Sequence, residues 1–325
     1  MSEIKKFTIK SDRLKLTVLN IGASIYELEY NKVNCVLSYE NIEQYIENPI
    51  CLGAMVGRVA GRISNAKFEL NGKTYQLDNN ESDYSIHGGY INLTKKYWDL
   101  VEINEKEVNP YIILKTTLKD GDSGYPGNVD IKVKYIIVNA TLRIEIFAVS
   151  DKDTILNITN HAYFNLNADK TKSIKNHELR INSNKFLAAA DNCVPISIED
   201  TKDTDFDLLQ SKSLSLLDNL KHEQTLKFGG YDHTFILNGN LPYVTLKNPS
   251  QKISMEVYTS YPSVVVYSGN AIGNNINMIG SKSFNHQGIC FEAQYEPDFI
   301  NKDFLPNYIL RKDEEYMNVI EFKFN

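Results

Sequence analysis

The stretch VDIKVKYIIV at 129–138 puts Val129, Ile131, Val133, Tyr135 and Ile137 at every second position, with Asp130, Lys132 and Lys134 between them. A period of two gives an extended strand one apolar face, whereas a helix needs a period near 3.6. The same alternation returns in TLRIEIFAV (141–149), PYVTLKN (242–248), ISMEVYTS (253–260) and SVVVYSG (263–269). AKFELNGKTYQL (66–77) has the pattern of a hairpin: Ala66, Phe68 and Leu70 alternate, Asn71-Gly72 turns, and Tyr75 and Leu77 resume. Helical periodicity is scarce, with helical turns expected only in NIEQYIENP (41–49) and LLQSKSLSLLDNLK (208–221). Twenty tyrosines and fourteen phenylalanines suit strands. Turn chemistry marks the loops KDGDSGYPGN (119–128), LNADKTKS (166–173) and FGGYDH (228–233). Gly53, Gly57 and Gly61 recur every fourth residue, but Arg58 and Arg62 beside them favour a backbone-crowded loop over a helix-packing motif. No repeat, low-complexity tract or linker interrupts the chain. The expected fold class is all-β: one large antiparallel β-sandwich domain over residues 1–325, with few short helices.

Composition narrows the function. A net charge of −6 argues against a nucleic-acid surface, which carries a basic stripe. No apolar run approaches the roughly 18 residues that span a bilayer, and the segment MSEIKKFTIKSDRLKL has charges where a signal peptide needs its apolar run. Cys35, Cys51, Cys193 and Cys290 lie far apart and form no CxxC or zinc pattern. The expectation is a cytoplasmic protein with reduced thiols. It has no Walker A loop, dinucleotide fingerprint or HxH spacing, hence no expected cofactor or metal.

Five stretches put ionisable groups beside glycines or aromatics: GRVAGRIS (57–64) with Arg58 and Arg62, SIHGGY (85–90) with His87, NITNHAYFNL (157–166) with His161, GGYDHTFIL (229–237) with Asp232, and GICFEAQYEPD (288–298) with Glu292. Two of them are two-faced at strand period. In 157–166, Asn157, Thr159, His161, Tyr163 and Asn165 oppose an apolar face. In 288–298, Cys290, Glu292 and Gln294 alternate with Ile289, Phe291, Ala293 and Tyr295. A glutamate there either reaches solvent or sits in a pocket. His177, His222 and His286 fall in polar, turn-like surroundings and are expected at the surface.

Taken in order, GRVAGRI, NGKTYQLDNNE followed by HGG, DGDSGYPG, TNHAYFNL, GYDHTFIL, YSGN and GICFEAQYEPD resemble the aldose 1-epimerase (galactose mutarotase) family. The resemblance implies the galactose mutarotase-like supersandwich and interconversion of the α and β anomers of a free aldohexose of galactose or glucose type. It implies neither cofactor nor metal. By motif position Glu292 would be the general base and His161 the general acid. Arg62, His87 and Asp232 would hold sugar hydroxyls, with Tyr163 and Gln294 nearby and Tyr267 placed to stack on a pyranose face. His161 would have to keep its proton against the field of Arg62, with Asp232 as the carboxylate able to favour it. The expected partner is a monosaccharide, with no nucleic acid or membrane, and the protein a monomer or weak dimer.

Four positions depart from the family's pattern: Gly61 for asparagine, Ala162 for serine, Ala293 for threonine, and Val265 where some members carry an amide. They imply an altered sugar preference. Two further readings stay open at this stage. A non-catalytic carbohydrate-binding or sensor protein would use the same hydroxyl contacts, although it has no need of both Glu292 and His161. A glycoside hydrolase or lyase would need a second carboxylate, a place Asp232 could fill.

Overall fold

The computed structural model describes residues 3–325. Its two main layers are a nine-stranded and a six-stranded antiparallel sheet. The larger runs in space Asp99–Asn104, Tyr111–Leu118, Val129–Val138, Thr141–Ser150, Glu315–Phe324, Ile253–Thr259, Val244–Asn248, Glu178–Ile181, Lys212–Ser213. The smaller runs Tyr163–Phe164, Ile289–Gln294, Ser263–Tyr267, Asp232–Ile236, Lys185–Ala189, Pro195–Asp200. A further four-stranded sheet forms from residues 6–34. The stretches 129–138, 141–149, 242–248, 253–260 and 263–269 are strands here, with boundaries shifted by at most two residues, and 66–77 is a hairpin.

The alternation does what the period demands. Val133, Tyr135, Ile144, Ile146, Ile320 and Phe322 of the large sheet are buried in one cluster with Val264, Val266, Phe291 and Ala293 of the small one. Phe164 bridges the layers, its ring 4.7 Å from Phe322 and 6.1 Å from Phe291. Burying such side chains stabilises by about 1.5–3 kcal/mol each. The hairpin turns at Asn71 (φ 53°) and Gly72 (φ 73°), both left-handed as a type I′ turn requires.

Three expectations need correction. Segment 157–166 is two short strands, not one. Thr159–Asn160 pairs with Met55–Val56, and Tyr163–Phe164 pairs with Ile289 and Cys290. The chain changes partner at the break, where the Asn160 side chain accepts the Ala162 N–H at 3.2 Å. The expected helical turns are present as 3-10 turns, Ile42–Tyr45 and Leu214–Asp218, but the second stretch also holds the strand Lys212–Ser213, and helix was expected nowhere else. The one α-helix among the described residues is Glu223–Phe228, just beyond the second stretch. His222 caps its first turn and Gly229 (φ 65°) closes it. His177 is fully buried because its Nε2 accepts the Leu166 N–H at 2.9 Å. Turn-like sequence hid that backbone partner.

Candidate active site

The strand Ile289–Gln294 is buried along its whole length. Ile289, Phe291 and Ala293 face the core between the sheets. Glu292 and Gln294 face the other way and help floor a cleft of about 630 Å³. The neighbouring strands deliver the rest. Val265 stands opposite Glu292, Tyr267 opposite Cys290, and Asp232 opposite Tyr267. Tyr163 also pairs with Cys290, which carries His161 to the same floor. Arg62 arrives from a two-residue ladder, Arg62–Ile63 against Ser85–Ile86, and His87 follows directly.

Arg62, His87, His161, Tyr163, Asp232, Tyr267, Glu292 and Gln294 all line this cleft. Arg58, the other arginine of its motif, does not. Its buried guanidinium donates to the carbonyls of Pro126 at 2.6 Å and Gly127 at 2.9 Å and braces the loop 119–128. Asn157, Asn160 and Asn165 are likewise spent on backbone groups of neighbouring segments. The apparent excess of hydrogen bonders in 157–166 is therefore mostly internal bracing. Cys193, Thr234, Phe228 and Asn270 line the cleft as well and were not singled out from sequence. Thr234 lies inside GGYDHTFIL, Phe228 adjoins it and Asn270 closes YSGN, whereas no motif covers Cys193.

The glycine pair after His87 has a steric cause. Gly88 sits at φ +91°, and a Cβ there would lie 2.3 Å from the Arg58 amide nitrogen and 2.4 Å from the Gly57 carbonyl oxygen. Gly88→Ala is expected to lower stability by at least about 2 kcal/mol, measured by urea unfolding. A variant as stable as the parent would mean that the loop packs otherwise.

His161 Nε2 lies 3.4 Å from Glu292 Oε1. That contact is an ion pair only when the proton resides on the imidazole. Burial opposes charge on both groups. It pushes His161 down to about 4. It pushes Glu292 up to about 8, with Asp232 adding to the rise and Arg62 opposing it. Both shifts work against the ion pair and favour the uncharged form of each group. Asp232 thus acts on Glu292 and not, as expected, as the keeper of His161's proton. Its own pKa is raised by burial and held back by Arg62. Desolvation would lower the Arg62 pKa, but Asp232 and Cys193 outweigh it, so the guanidinium stays charged. His87 is held well below its ordinary value by burial, then by His161 and Arg62. Its Nδ1 accepts the Gly61 N–H at 3.2 Å, which leaves Nε2–H as a neutral donor.

Three atoms of cleft-lining residues, Arg62 Nε, His233 Nε2 and Gln294 Oε1, are buried without a protein partner. Such groups are costly unless a ligand or water satisfies them. The Tyr163 phenol donates to the Ile50 carbonyl at 3.1 Å, whereas that of Tyr267 accepts the Ala271 N–H at 2.9 Å and keeps its own O–H to donate. Their rings stand 6.0 Å apart at 80°, so they offer faces and edges as well. His161, Cys290 and Glu292 bring ligand-type atoms within 4.8 Å of one another. The imidazole turns Nε2 to the carboxylate and Nδ1 to the thiol, so the two contacts do not converge on one metal position. Of the four departures from the family pattern, Gly61 and Val265 line the cleft, whereas Ala162 and Ala293 are buried in the core.

Comparison with known proteins agrees across the whole chain. The family model described as aldose 1-epimerase matches residues 5–323. A galactose mutarotase of Bos taurus is 30% identical over 332 aligned positions, covering 99% of this chain and 94% of that protein. An aldose 1-epimerase of Haemophilus influenzae is 36% identical over 290 positions, covering 87% and 83%. The solved structure of a galactose 1-epimerase from Lactobacillus acidophilus superposes with a TM-score of 0.90 at 30% identity, covering 100% of this chain and 95% of that one.

Proposed function

The chain belongs to the aldose 1-epimerase family, and from that premise we propose how its cleft interconverts the α and β anomers of a free aldohexose. Glu292 takes the proton of the C1 hydroxyl and His161 gives one to the ring oxygen. The ring opens to the aldehyde, the C1–C2 bond rotates, and closure on the other face reverses both transfers. The observation that carries this reading is the 3.4 Å approach of His161 Nε2 to Glu292 Oε1 on the cleft floor. The two oxygens that exchange protons sit on one carbon, so acid and base must lie side by side. The pair's single proton first passes from carboxyl to imidazole, which converts the resting allocation into the reactive one.

Arg62 and Gln294, with their unpartnered atoms, Asp232, and His87 as neutral donor are the groups assigned to sugar hydroxyls. Tyr267 and Tyr163 supply aromatic walls. Gly61 and Val265 each remove a polar side chain from the lining, so sugar preference is assigned to those two positions. In this reading the chain works as one domain, without metal or cofactor, and as a monomer or weak dimer. All four cysteines are free thiols, which fits a reducing cytoplasm, and among the described residues no helix is long and apolar enough to cross a membrane.

Polarimetry tests the proposal: α-D-glucose or α-D-galactose should equilibrate faster with the protein than in buffer. Equilibration at the buffer rate across several aldoses would overturn it. The pH dependence follows from the shared proton. Below about 4 His161 binds a second proton and the base is lost. Above about 8 Glu292 gives up the last one and no acid remains. kcat/KM should therefore be level between those values and fall on both sides. A profile with one limb would exclude the shared-proton scheme.

A further inference from the structure

Behind the imidazole, on the side away from Glu292, stands a residue with no part in the scheme above. Cys290 Sγ lies 3.4 Å from His161 Nδ1. The strand period puts Cys290 on the face of Glu292, one step along, and its pairing with both Tyr163 and Tyr267 fixes it there. The thiol is fully buried and takes no part in the cleft lining, so it does not touch a sugar. The His161 ring thus meets a carboxyl at Nε2 and a thiol at Nδ1, beside a hydrogen bond to its own backbone.

Proton exchange at Nε2 sets a condition on the other nitrogen. Each time Nε2 gives its proton away, the ring stays neutral only if Nδ1 keeps its own. The neutral tautomer must then be the Nδ1–H form, with the Nε2 lone pair turned to the Glu292 O–H. The tautomer of a histidine is set by the hydrogen bond its far nitrogen makes. We infer that Cys290 is a positioning residue for His161, its sulfur accepting the Nδ1–H so that the ring stays in that tautomer and Nε2 is free to exchange. The inference rests on His161 being the proton donor.

The choice of sulfur matters chemically. A carboxylate at Nδ1 would hold the same tautomer, but it would also stabilise the imidazolium and weaken it as an acid. A neutral thiol is a weak acceptor. Burial, with Glu292, Asp232 and Cys51 adding, holds the Cys290 thiol well above its ordinary pKa, so it stays uncharged. It orients the ring while leaving the imidazolium acidic enough to protonate a ring oxygen, itself a very weak base.

Long-range 1H–15N NMR on histidine-labelled protein reads the tautomer directly, and steady-state kinetics reads its consequence. In the unmutated protein near pH 6, His161 should show a protonated Nδ1 and an unprotonated Nε2. Cys290→Ala should mix the tautomers and lower kcat by roughly threefold to tenfold, the span of one weak hydrogen bond, with KM within about twofold of the parent. Cys290→Ser, a stronger acceptor, should restore the tautomer and much of kcat while moving the acid limb of the pH profile upward. An Nε2–H tautomer in the unmutated protein, or a Cys290→Ala protein with tautomer and kcat both unchanged, would overturn the inference and leave the acid assignment standing. Full activity in His161→Asn would overturn the acid assignment and this inference with it.

Discussion

Glu292→Gln should lower kcat/KM for anomer interconversion by about 10³ to 10⁴, with KM changed only a few-fold. The substitution keeps the shape and one hydrogen-bond acceptor but removes two functions together. Glutamine cannot take the proton of the C1 hydroxyl. It also cannot lend a proton to His161, which burial holds down to about 4 and which would be neutral at pH 7. Acid and base are thus lost in one step, which places the effect near the upper end for general acid–base catalysis. Folding should not suffer, because a buried carboxyl raised to about 8 is replaced by a group that never charges. A loss smaller than about tenfold would move the base elsewhere. Asp232 would be the candidate, since it lines the same cleft.

His161→Asn should cost about 10² in kcat, and its pH dependence should reverse. Asparagine can still reach Glu292 and donate a weak hydrogen bond to the ring oxygen, but it has no proton to give. What remains is catalysis by the base alone. A carboxylate base is active only when deprotonated, and Glu292 loses its proton at about 8. The variant's rate should therefore climb as pH rises toward that value, where the parent's rate begins to fall. Rates measured from pH 5 to 9 decide it, and a variant that keeps the parent's alkaline limb would remove His161 from the acid role. Combined with Glu292→Gln, the second substitution should add little, because members of one proton-transfer pair do not contribute independently.

Much of the fold was legible because its signals are local. The alternation in 129–138 and 141–149 is a consequence of strand geometry, and Asn71-Gly72 supplies the positive φ values its turn requires. The misreadings have physical causes. His177 sits in a polar run, yet a backbone N–H from Leu166, 11 residues away, satisfies it, and nothing nearby in sequence announces that partner. Segment 157–166 alternates like one strand, yet it pairs first with Met55–Val56 and then with the start of Ile289–Gln294. Hydrogen bonds to the backbone of neighbouring segments consume its asparagines. Arg58 and Arg62 look alike in GRVAGRIS, and only the packing of loop 119–128 around Arg58 separates a brace from a cleft residue. Ala162 and Ala293 look like changes to a binding surface, yet they lie in the core.

The sequence by itself determined that the chain is built of strands with one apolar face, and that its motifs carry a histidine and a glutamate suited to acid–base work. The first follows from the spacing of residues along a backbone whose side chains alternate, the second from the family resemblance that its motifs carry. Only the tertiary structure decided that His161 and Glu292 stand 3.4 Å apart. It also decided that burial works against charge on both groups, and that the far nitrogen of the imidazole meets the thiol of Cys290. Register between strands remote in sequence sets those distances. The burial that register creates sets the protonation, because the energy of a charge depends on everything that surrounds it.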